Sequence, residues 1–145
     1  MQQYDPAGVW ERVQSAPAAD PQNLSGLTET LHLETRLFQQ LTRKLPAHQA
    51  AYARELSRRA SRHLACLKGM HILISGTAPA IRALPVPGDP PDVLLRQSYG
   101  RILRLRTEYE TRRSDPVYGS VFRVLATDLP EQSRTVLELL GMITK

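Results

Sequence analysis

Apolar residues recur every three or four positions through four long blocks of this chain, the spacing that places them on one face of an α-helix. The first block runs from about Ser25 to Leu45 and carries Leu27, Leu31, Leu37, Phe38, Leu41 and Leu45 on that face. Ser25 or Thr28 is its candidate N-cap, and Pro46 stops it. The second runs from about Ala47 to Ser75 through Ala53, Leu56, Ala60, His63, Leu67, Met70 and Ile74, with Gly76 as a C-cap. The short strand-like run "HILIS" fits as its last turns. Because so little chain separates these blocks, they are expected to form an antiparallel hairpin.

The third block, "PPDVLLRQSYGRILRLRTEYETRRS", has Asp92 as its capping signal and a stripe of Leu95, Ser98, Ile102, Leu105 and Tyr109. The fourth opens at "SDPVYG", where Asp115 is placed as the cap and Pro116 as the first helical residue. It continues through Val121, Phe122, Leu125, Leu129, Gln132, Val136, Leu139 and Leu140 to Gly141. Pro130 falls in its middle, and a proline there predicts a kink or a local opening over 126–130.

Between the second and third blocks lies "GTAPAIRALPVPGDPPD", residues 76–92, with five prolines and two glycines. Such a segment forms neither helix nor sheet, but extended at about 3 Å per residue it spans on the order of 50 Å. Either flanking helix pair alone would leave its apolar face bare. The segment is therefore a crossover along a bundle, and the expected fold is all-α: two antiparallel helical hairpins joined by a long Pro-rich crossover. Residues 25–145 make up this bundle. Residues 1–24 lack sustained periodicity and read as an arm, loosely ordered or docked through Trp10.

Composition narrows the chemistry. The 145 residues suit one domain. Cys66 is the sole cysteine, which excludes an intrachain disulfide and any multi-cysteine metal site. No charged segment precedes an apolar run at the start, and no apolar run approaches 20 residues, so a cytoplasmic protein with no membrane segment is expected. The net charge of +5 admits anionic partners without choosing among them.

Polar residues on the apolar seams are the informative ones: His63 on the second helix, Gln132 on the fourth, and Ser98, with Tyr99 and Tyr109 nearby on the third. The runs "ELSRRASRHLACLKGMHILISG" and "LLRQSYGRILRLRTEYETRRSDPVYGSVFRVLATDLPEQSRTVLELLG" resemble the ferritin-like, rubrerythrin-related family of four-helix bundles, over residues of about 27 to 142. The resemblance implies oxidase, peroxidase or iron-storage chemistry where a di-iron site is present. In such members the second and fourth helices each carry Glu-x-x-His, and the first and third each add a Glu. Here the second-helix motif reads "ASRH", with Ala60 at the glutamate position and His63 kept. The fourth reads "LPEQ", with Leu129 for the glutamate and Gln132 for the histidine. The third helix has no acidic residue between Asp92 and Glu108, and the first offers Glu34 or His32.

Two iron ions need several anionic oxygens, which one histidine and one glutamate do not supply. The expected protein is thus a metal-free, non-enzymatic bundle. A divergent oxidoreductase with iron, manganese or zinc is the alternative. Its weak candidate ligands are His63, His32, Glu34 and Cys66, the last three residues beyond His63 on one helix surface. Otherwise Cys66 is a small hydrophobe. A second alternative is nucleic-acid binding through the arginines of helix two (Arg54, Arg58, Arg59, Arg62) and helix three (Arg96, Arg101, Arg104, Arg106, Arg112, Arg113). Self-association as a homodimer, a default that the resemblance implies, has a candidate face in Leu73, Leu94, Leu103 and Leu137; a different protein partner is the other expectation.

Overall fold

A computed structural model describes residues 21–144. The arm expected over residues 1–24, Trp10 included, lies almost wholly outside the described residues. Four helices follow: α1 Pro21–Lys44, α2 Ala47–Ser75, α3 Pro91–Thr111 and α4 Gly119–Ile143. Among the described residues there is no strand, and no helix is long and apolar enough to cross a membrane.

The direction of each helix follows from its contacts. The two-residue link between α1 and α2 forces an antiparallel hairpin. The segment after α2 then returns along α1. Arg82 pairs with Glu29 at 3.4 Å, and Arg36 donates to the Leu84 carbonyl at 2.7 Å, so chain position rises in the same direction on both. Ile81 and Val86 pin this crossover to the core. It therefore delivers α3 to the end of the bundle where α1 finishes. Ser98 and Arg101 lie against Glu34, while Arg104, Leu105 and Glu108 share a groove with Gly26, Leu27 and Thr30. α4 runs back beside α2, with Asp128 at Arg59 and His63, and Thr135 and Glu138 near Tyr52 and Glu55. Every neighbouring pair is antiparallel, and α2 and α3 run parallel across the diagonal.

The expected seams form one core, with Leu31, Phe38, Leu56, Leu67, Ile102, Phe122 and Val136 all buried. Each such side chain contributes roughly 1.5–3 kcal/mol by leaving water. Leu94 was expected on a self-association face but is 1% exposed. α3 packs against both α1 and α4, so it buries two adjacent columns, and Leu94 belongs to the second.

Helix starts differ from the sequence reading. α1 begins at Pro21, and the Thr28 hydroxyl donates back to the Ser25 carbonyl, so both candidate caps lie inside the helix. Asp92 sits in the first turn of α3, where its charge suits the helix dipole, and pairs with Arg96 rather than capping. Asp115 does cap, but it caps a turn: its Oδ1 accepts from the backbone N–H of Val117 and Tyr118, and α4 starts at Gly119. At the end of α2, Gly76 has φ 79° and donates to the Ile72 carbonyl, the left-handed stop that glycine favours.

α4 continues as one helix through Pro130: of the kink or opening expected over 126–130, the opening does not occur. Pro130 is exposed. A proline ring on the solvent side meets no packed neighbour, and the one main-chain donor it lacks is a bond lost from the ladder, not a break in the helix. Leu129 and Val136 hold the buried side of the helix in place.

Candidate functional site

Two polar clusters interrupt the core. The first joins α1 to α3. Glu34 is fully buried and accepts hydrogen bonds from the Ser98 hydroxyl and from Arg101 Nε, the latter also an ion pair. Burial pushes the Glu34 carboxyl above its usual range, against the opposing pull of the Arg101 charge and the Ser98 hydroxyl. One Arg101 nitrogen, Nη2, is buried without a partner among the described residues.

The second cluster joins α2, α3 and α4. His63 Nε2 lies 2.8 Å from Asp128 Oδ2, and Nδ1 lies 3.2 Å from the Tyr109 hydroxyl. A carboxylate only accepts, so Nε2 carries the proton and Nδ1 accepts from Tyr109. Asp128 Oδ1 accepts from Arg59 at 2.7 Å, and Arg59 Nε donates in turn to Glu55 at 3.2 Å. A continuous chain of bonds thus runs from a buried phenol to the surface. Tyr109 is fixed by ring contacts to His63 and Phe122, with centroids 5.8 and 6.1 Å apart. Burial pushes its hydroxyl well above the usual value, so it remains a donor.

The residues singled out in the sequence distribute unevenly over these clusters. Glu34 and His63 are central, but to different clusters. Ala60 and Leu129 are buried core side chains. Gln132 is buried, and neither of its amide atoms has a hydrogen-bond partner among the described residues. Cys66 is a free, half-buried thiol packed against the core, and burial pushes its pKa up, which disfavours the reactive thiolate. His32 is half-buried with Nδ1 unpartnered. Among the described residues, no three of His, Cys, Asp and Glu converge as metal ligands would.

Sequence reading missed two partners. Arg101 reads from the sequence as one of the helix-three arginines of a basic face, although its position three residues beyond Ser98 places it on the same seam. Asp128 precedes Leu129 on the margin of the α4 seam, where its place in the pattern assigns it no partner. The pattern of α4 carries no signal that His63 faces it.

No protein-family model matches the chain. No curated protein and no solved structure is detectably similar to it. The chemistry of the two clusters is therefore the basis for a functional reading.

That chemistry has a pH signature. Burial holds the His63 imidazole below its ordinary pKa, outweighing the upward pull of the Asp128 bond and charge, and Arg62 and Arg59 add to the depression. The unfolded chain then binds a proton near pH 6.5 that the folded chain resists, so stability falls as pH drops below that point. The slope from this one group is at most about 1.4 kcal/mol per pH unit and flattens below the folded pKa. Urea unfolding between pH 7.5 and 5 should show the decline, and His63→Gln should remove it. An unchanged slope in the variant would assign the titration elsewhere.

Proposed function

We propose that this chain is a non-enzymatic, metal-free bundle of the ferritin-like type that acts through protein contacts, beginning with pairing to a second copy. The observation that carries this reading is that the two best ligand candidates already have protein partners. The Glu34 charge is balanced by Arg101, and both His63 nitrogens are engaged by Tyr109 and Asp128. Tyr109 is fully buried and His63 nearly so, and although His63 and Asp128 line an open surface hollow, the phenol of the pair that most resembles an acid–base couple lies behind the imidazole. Two antiparallel hairpins joined by a crossover along α1 agree with the ferritin-like topology that the sequence resembles.

For contacts, the surface offers Leu73, 76% exposed, together with Leu103, Val124 and Leu137. Each of these side chains gains by leaving water under a covering partner. Light scattering at micromolar concentration should give the mass of two chains, and elemental analysis after expression with added iron, manganese and zinc should find no stoichiometric metal. A one-chain mass would remove the self-association reading. Stoichiometric metal lost on replacing His63 would replace the whole proposal with a divergent oxidoreductase.

A further inference from the structure

The outer face of the α1–α2 hairpin holds a hollow of about 520 Å³. Arg54, Arg58 and Arg62 line it from α2, and Arg43 lines it from the last turn of α1. Four-residue spacing stacks the α2 arginines into one ridge, about 6 Å apart and about 12 Å long. Like charges at this spacing repel and weaken a helix. Most arginines elsewhere have carboxylate partners: Arg59 has Asp128, Arg101 has Glu34 and Arg134 has Glu131. In the hollow only Arg58 does, through Glu55, while Arg43, Arg54 and Arg62 have no ion pair among the described residues. No carboxylate lines the hollow.

The remaining lining also presents donors. Thr42 and Ser57 direct their hydroxyl hydrogens to the Phe38 and Thr35 carbonyls, which leaves the exposed Ser61 hydroxyl and Gln39 amide available. A concave site with four guanidiniums, added donors and no opposing charge fits phosphoryl oxygens, which arginine binds through paired, charge-assisted bonds.

We propose that this hollow binds an oligophosphate anion, two or more linked phosphoryl groups such as tripolyphosphate or the tail of a nucleoside triphosphate. A single phosphate cannot bridge guanidiniums spread over about 12 Å of helix. A nucleic acid is the poorer fit. No aromatic side chain lines the hollow to stack a base, and a ridge of three cations follows a duplex for only a few phosphates. The site is independent of the protein contacts proposed above.

Isothermal titration calorimetry of the full chain with sodium tripolyphosphate, at fixed ionic strength, tests this directly. Saturable one-to-one binding is expected, weakened at least about 10-fold in Arg54→Gln/Arg62→Gln, since each lost charge-assisted bond is worth that much or more. Orthophosphate should bind more weakly than tripolyphosphate. All four arginines of this variant and of its control, Arg104→Gln/Arg106→Gln, are exposed, so both proteins should keep the parent melting curve. The control should bind as the parent does. Absence of saturable binding would overturn the proposal, as would equal weakening in the control, which would show general charge attraction. Tighter binding of a DNA duplex, lost in the Arg54→Gln/Arg62→Gln protein, would reassign the face to nucleic acid.

Discussion

Arg101→Leu should lower the unfolding free energy by about 3–5 kcal/mol at neutral pH, because it leaves a fully buried carboxylate without its counter-charge. Ser98 alone would then hold Glu34, and one neutral hydrogen bond does not offset the lost hydration of an ion. The loss is a large part of the 5–15 kcal/mol typical of a domain. The double variant Glu34→Leu/Arg101→Leu should recover most of it, since apolar side chains of similar volume often replace a buried pair at little cost. Burial already raises the Glu34 carboxyl, and removing Arg101 raises it further by deleting a charge that lowers it. The folded single variant therefore holds a proton that the unfolded chain releases near pH 4.5, and its deficit grows as pH rises above that point. Urea unfolding at pH 5 and pH 7.5 reads both effects. A single variant as stable as the parent, or a double variant as weak as the single, would show that the pair is not the organising contact between α1 and α3.

The helices and their order were legible because burial of one helical face imposes a period that survives in the residues themselves. The crossover was legible for a different reason: prolines from Pro79 to Pro91 leave an extended path as the simplest one. Pairings across helices were not legible. Arg101 meets Glu34 across 67 positions, and Asp128 meets His63 across 65. Periodicity fixes which face each residue occupies on its own helix. It does not fix how far neighbouring helices are rotated or shifted, and a polar partner is chosen on that scale.

Leu94 and Pro130 show the same limit from the other side. A single seam through Leu95, Ser98 and Ile102 leaves Leu94 outside, yet a helix wedged between two neighbours buries a second column. Pro130 reads as a kink or local opening because the cost of a proline is usually quoted for a helix interior, about 3 kcal/mol. On the solvent side of a helix whose opposite face is anchored, the helix continues past it. "LPEQ" is thus a buried leucine, a surface proline and a buried glutamine in one unbroken helix. It departs from a Glu-x-x-His ligand motif in its side chains, and Pro130 removes one main-chain donor without ending the helix.

Gly119→Ala should destabilise the protein by about 2 kcal/mol or more, the opposite of what helix propensity alone gives. Alanine in place of glycine normally favours a helix by about 1 kcal/mol. At Gly119 an added Cβ would lie 2.3 Å from the Arg113 carbonyl oxygen and 3.1 Å from its carbon. Both atoms are main chain, so no rotamer change relieves the overlap, and the turn between α3 and α4 has to move. That turn is held by the Asp115 bonds to Val117 and Tyr118 and by Gly119 N–H donating to the Asp115 carbonyl, so the shift also strains a cap. It further displaces the last turn of α3, from which Tyr109 reaches His63. Gly69→Ala is the control, inside α2 with nothing within 4 Å of the added carbon, and should be neutral or slightly stabilising. Opposite signs for the two variants in urea unfolding are the expected result. Equal effects would mean that the α3–α4 turn tolerates a wider separation, and the close approach at Gly119 would then not set the position of Tyr109.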